Sequence, residues 1–137
     1  MINQYLNATG PFEPNLEGAA PMKFALACML SKGNLRWISW LIDDESAYSE
    51  FEDESGWNIM RRNENRWQAD EFRDWPSLAV YRAYVDPDQY LMKFPECFMS
   101  KRQFFDELAA QLKLYSGAFP SDDVARELLT KLAELDE

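Results

Sequence analysis

The chain has 137 residues, 47% hydrophobic and 28% charged, with 24 acidic against 14 basic side chains and a net charge of −10. That length suits one domain built on a single core, 1–137, and the balance excludes a disordered chain. No apolar run approaches the roughly 18 residues of a membrane-spanning helix, and so acidic a surface repels nucleic acid and anionic membrane alike.

Residues 1–18 contain Gly10, Pro11, Pro14 and Gly18 and read as an irregular arm. The opening M-I-N-Q-Y-L-N lacks the basic region and apolar stretch of a secretory signal, so residence in the cytoplasm is expected. Pro21 suits the first turn of a helix and Gly33 its C-terminal cap, which predicts a buried helix over 22–32. A strand competes there, because a short apolar run does not reveal its period. Residues 35–42, L-R-W-I-S-W-L-I, carry the side chains that suit a pleated surface and predict a strand.

The chemistry then changes abruptly. Residues 43–56 read D-D-E-S-A-Y-S-E-F-E-D-E-S-G, with seven carboxylates and no Lys or Arg. Carboxylates crowded in this way repel one another unless a basic partner supplies the counter-charge. A short helix with Tyr48 and Phe51 on one face is conceivable, although Glu50 and Glu54 would repel at four-residue spacing. A solvated acidic loop is the plain alternative to an interface. The interface reading takes Asp43, Asp44, Glu45, Glu50, Glu52, Asp53 and Glu54 as steering charges, with Tyr48, Phe51 and Trp57 as ring anchors, Tyr48 and Trp57 exposed.

Residues 57–62 predict a strand, 63–65 a turn, and 66–75 no clear element. A strand over 78–85, a turn at Asp86-Pro87-Asp88 and a returning strand over 89–94 predict a hairpin, with Pro95 at a sheet edge or a strand end. Ser100 and Gln103 match a capping box ahead of Phe104, Phe105, Leu108, Leu112 and Tyr115 at helical spacing. Gly117 and Pro120 break that helix. Ser121 or Asp122 then caps another, with Val124, Leu128, Leu129, Leu132 and Leu135 along one face. The expected class is α+β: an antiparallel sheet of about four strands, a buried N-terminal helix and two C-terminal amphipathic helices.

Catalytic signals are missing. The chain has no histidine, which removes the commonest general base and zinc ligand. Cys28 and Cys97 form no C-x-x-C pair and read as reduced, buried thiols. No EF-hand spacing, nucleophile elbow, phosphate-binding loop or dinucleotide fingerprint occurs, so no catalytic residue, metal or cofactor is assigned. Among 24 acids some pair will always lie close, so a carboxylate-dependent hydrolase is the weaker reading. The arginines Arg61, Arg62, Arg66 and Arg73 lie among acids and read as local ion pairs.

D-D-E-S-A-Y-S-E-F-E-D-E-S-G-W, with the tryptophan-rich middle of a small chain, resembles the immunity proteins of bacterial polymorphic-toxin and contact-dependent growth inhibition systems. The resemblance implies a cytoplasmic, non-enzymatic protein that binds one cognate toxin domain, often a basic nuclease, and blocks it. An acidic adaptor or nucleic-acid mimic that blocks a DNA-binding protein is the alternative; it would spread its charge along an elongated face.

Overall fold

The computed structural model describes residues 18–43, 50–54, 56–62, 73–89 and 94–135. They form four helices and one four-stranded antiparallel sheet, an α+β fold. In chain order these are α1 (Ala20–Ser31), α2 (Leu35–Ile42), β1 (Glu50–Asp53), β2 (Trp57–Arg61), β3 (Tyr81–Val85), β4 (Glu96–Met99), α3 (Lys101–Ala118) and α4 (Asp123–Leu135). The expected turn at 63–65 lies outside the described residues, as does most of the arm before Gly18.

α1 is the central helix. It is apolar on nearly every side, which suits a helix surrounded by protein, and Ala20–Met22 and Ala25–Leu30 are all buried. Pro21 sits in its first turn. At its other end Gly33 adopts φ +75°, a conformation that costs glycine nothing. The Gly33 N–H then donates to Leu30 O and the Asn34 N–H to Met29 O, both at 3.0 Å, which closes the helix in a Schellman motif.

The predicted strand over 35–42 is a helix, α2. Its buried side chains are Leu35, Ile38, Leu41 and Ile42, spaced three and four apart. A strand would have put Ser39 on the same face as Leu35, Trp37 and Leu41. The β-preference of Trp and Ile reflects packing on a pleated surface and yields when a helix buries the same groups. Two sheet residues hold the C-terminal carbonyls of α2. Arg61, only 3% exposed, donates to Trp40 O at 3.1 Å, to Leu41 O at 3.0 Å and to Asp43 O. The Tyr81 hydroxyl donates to Leu41 O at 2.7 Å.

The short helix considered for the acidic stretch is, over 50–53, strand β1. It pairs Phe51 with Ile59 and Asp53 with Trp57. Alternation turns Phe51 to the core and leaves Glu50 and Glu52 together on the exposed face, in water. β2 and β3 lie where expected, although β3 starts at Tyr81 and Leu78 is an exposed turn residue. The Asp86-Pro87-Asp88 turn forms, with the Asp88 N–H on Asp86 Oδ1 at 2.9 Å. The returning strand is displaced from its expected place. Gln89 belongs to the turn, 90–93 lie outside the described residues, and β4 begins only after Pro95. Pro95 accepts from the Val85 N–H but cannot return a donor to β3, and β4, an edge strand, begins at the residue after it.

The helices cover one face of the sheet. α1 packs on β2, β3 and β4, α2 and α3 flank it, and α4 bridges α2 and α3. Tyr81 stacks on Phe104 at 3.8 Å and joins the sheet to α3. The Ser100–Gln103 capping box is complete, and Asp122 caps α4 by accepting from the Val124 and Ala125 N–H groups. The buried face of α4 consists of Ala125, Leu128 and Leu132; Val124 and Leu135 lie off it and are exposed. Among the described residues no helix is long and apolar enough to cross a membrane.

Both cysteines are buried free thiols. Burial pushes Cys28 up from 9.0 to about 12. Burial first, and the charge of Glu107 second, push Cys97 up to about 11. Tyr115 rises to about 12, through burial and then through its hydrogen bond to Asp122.

Two predictions follow from this packing. Arg61→Met removes the buried donor shared by three carbonyls at the end of α2, although Leu41 O keeps the Tyr81 hydroxyl and Trp40 O the Asp43 N–H. It should cost about 2–3 kcal/mol in urea unfolding. All three raised groups are held protonated in the fold, so their stabilising contribution is complete below pH 9 and is lost as pH rises towards 11–12. Unfolding measured in reductant should therefore show stability falling over that alkaline range, and a Cys28→Ala, Cys97→Ala variant should lose part of the fall.

Candidate protein-binding surface

β1 is the other edge of the sheet, opposite β4. Its register with β2 directs the backbone N–H and C=O of Phe51 and Asp53 inward, and those of Glu50 and Glu52 towards the open edge. The side chains of Glu50, Glu52 and Glu54 are all exposed. Glu50 accepts a hydrogen bond from Asn58 Nδ2 at 2.9 Å across the strand pair, and Asp53 is paired with Lys32 from the end of α1. The self-pairing is thus partial. The Lys32–Asp53 pair is half exposed on the lysine side and adds little stability.

Rings border this edge, although they are not the ones expected. Trp57 is 1% exposed and belongs to the core. β2 is an inner strand, its odd residues face the helices, and Trp57 packs edge-on to Trp37 at 6.4 Å. Trp57 is therefore not an exposed anchor. Its indole N–H finds no hydrogen-bond partner among the described residues, and apolar packing holds the ring. Phe51 is likewise buried, at 6%. The rings that remain half-exposed beside β1 are Trp37 and Trp40 of α2, stacked on Phe51 at 5.2 and 6.1 Å. Their spacing of three, read as helical instead of extended, is the signal that would have found them. Asp43 ends α2, with its carbonyl on Arg61. Asp44, Glu45 and Tyr48 lie outside the described residues.

Asp86 and Asp88 were also not anticipated. In an antiparallel meander the β1–β2 turn and the turn after β3 lie at the same end of the sheet. Here the Asp86 N–H donates to Gly56 O at 2.7 Å, joining the two turns. A Cβ on Gly56, which has φ +102°, would meet Asp86 Cβ at 3.1 Å, so the close approach requires glycine. Glu54 and Asp88, both exposed, thereby extend the acidic edge around one end of the sheet. Among the described residues no three thiol or carboxylate groups converge as a metal site.

Chemically, this surface offers an open row of backbone donors and acceptors, outward carboxylates and two half-exposed indoles. Those are means of binding a polypeptide. Comparison with protein-family profiles, with curated proteins and with solved structures finds no match.

The corrected ring assignment is testable. Trp57→Ala should destabilise the fold by about 3–5 kcal/mol in denaturant unfolding. Trp37→Phe with Trp40→Phe should be far milder and should remove much of the fluorescence that acrylamide quenches in the native protein.

Proposed function

We propose that the chain is a non-enzymatic binding module that captures a basic protein through the β1 edge, and that it neutralises that protein in the manner of the immunity proteins it resembles. The single observation that supports this most is the conjunction at β1: exposed Glu50, Glu52 and Glu54, open backbone groups, and Trp37 and Trp40 alongside. A nuclease groove is basic because it must hold phosphates, so an outward row of carboxylates is drawn to it at electrostatically steered rates. Charges at the rim set the rate of encounter, whereas half-buried rings that become fully buried govern how long the complex lasts. Trp37 and Trp40 supply that second requirement without rearrangement, since Phe51 already fixes their orientation. In this reading the protein resides in the bacterial cytoplasm, where it meets a toxin domain, probing neither nucleic acid nor membrane directly.

The test is a triple reversal, Glu50→Lys, Glu52→Lys and Glu54→Lys, at exposed positions that the core does not use. Capture of the partner from the native cell by the wild-type chain should identify a basic protein. Its association with the triple variant should slow by about tenfold or more at low salt and approach the wild-type rate at high salt. An acidic partner, or unchanged association at low salt with the fold intact, would sink the reading.

A further inference from the structure

The opposite edge of the sheet has a different construction. A groove of about 680 Å³ runs beside β4 and is lined by all four of its residues, together with Gln103, Asp106 and Glu107 of α3. Consecutive residues of a strand point to opposite faces, so a groove that touches Glu96, Cys97, Phe98 and Met99 alike must follow the edge itself. Register fixes which backbone groups it meets. Pro95 C=O accepts from Val85, and Ala83 and Tyr81 lie opposite Cys97 and Met99, so these odd residues turn to β3. The N–H and C=O groups of Glu96 and Phe98 turn into the groove. Among the described residues they make no backbone hydrogen bond; the Cys97 thiol approaches Phe98 O at 4.0 Å, too long to satisfy it.

The wall opposite this row is acidic. Asp106 and Glu107 face it from α3, and Glu96 stands at the strand itself, while among the described residues no Lys or Arg lines the groove. Arg82 pairs with Glu96 at 2.6 Å on the face of the sheet opposite the helices, and Arg102 lies 3.6 Å from Asp106 with both side chains largely in solvent, where screening weakens the pair. Glu107 accepts from the neutral Gln111, at 3.3 Å, and its charge is felt by Cys97, which also lines the groove.

We propose that this groove takes an extended, basic segment of a protein partner, which adds to β4 as a fifth strand. Its backbone exchanges hydrogen bonds with Glu96 and Phe98, and a Lys or Arg side chain reaches Asp106 and Glu107. A second copy of this chain fits poorly in that place: pairing two β4 edges would bring the α3 carboxylates of one copy against those of the other, between molecules of charge −10 each. The groove lies at the far edge from β1, so the inference stands apart from the function proposed above.

A peptide of about eight residues alternating Lys and Val, long enough to match a sheet strand, serves as the probe, with a Glu–Val peptide as control. Titrated into the labelled full chain, the basic peptide should shift the amide signals of Glu96, Phe98, Asp106 and Glu107 and slow exchange of the Glu96 and Phe98 amides. Asp106→Lys, at an exposed position of a well-capped helix, with the milder Glu107→Gln beside it, should weaken binding about tenfold. Glu96→Pro, which deletes an N–H not used by the β3 ladder, should weaken it as well. The β1 triple reversal should bind the peptide as the wild type does. Equal binding of the acidic peptide, shifts confined to β1 and α2, no binding at millimolar peptide, or dimerisation through β4 in place of binding would each overturn the proposal.

Discussion

A buried guanidinium at the end of a two-turn helix is the constraint on which the rest of the structure depends. α2 is too short to persist on its own, since helix nucleation is costly and eight residues return few hydrogen bonds. Arg61 reaches from β2 into the carbonyls of Trp40, Leu41 and Asp43, and Tyr81 adds its hydroxyl from β3. Those carbonyls are the negative end of the helix, and backbone bonding alone leaves them under-satisfied, with only a long 3.3 Å bond from the Asp43 N–H to Trp40 O among the described residues. Burying an arginine is expensive, and only a set of acceptors placed by the fold offsets that cost. The consequence is positional: once α2 is held there, Trp37 and Trp40 must lie against Phe51 and border the acidic edge.

The acids then follow a rule of alternation. A strand sends neighbouring side chains to opposite faces, so β1 buries one ring while Glu50 and Glu52 stay in water, where their mutual repulsion is screened. Asp53, on the inward side and half-covered, is the one that receives a cation, from Lys32 just past the end of α1. A helix through the same residues would have stacked Glu50 and Glu54 on one face. The strand buries Phe51 and leaves the charge displayed outward.

How far the sequence could be read depended on whether local signals agreed with tertiary ones. Ser100, Gln103 and the Phe104–Tyr115 spacing carry cap and period together, and α3 is found where they point. Pro21 and Gly33 likewise bracket α1. α2 was misread because Trp and Ile suggest a strand, and the partner that stabilises its end, Arg61, is some twenty residues away. Composition alone made Arg61 look like one member of a local ion-pair group; its burial and its carbonyl partners are tertiary facts. Trp57 and Trp37 have the same side chain, and only the sheet order decides that one is core and the other rim. Asp86 and Asp88 were visible as a turn, but their place beside Glu54 required the meander to be known.

Open sheet edges are ordinarily a hazard, because unpaired strands recruit copies of themselves. Here both edges combine open backbone groups with carboxylates: Glu50 and Glu52 at β1, Glu96 with Asp106 and Glu107 at β4. Any pairing of two such chains brings like charges together in addition to the repulsion between whole molecules of charge −10. The same carboxylates lower the free energy of approach for a cationic polypeptide. Under the proposed reading, charge at an open edge acts as a filter on partners, rejecting copies of the chain and admitting basic segments before any specific contact forms. On the proposed reading the excess of acid is more than a coat for solubility: among the described residues part of it lies along the two edges of the sheet, where it opposes self-pairing.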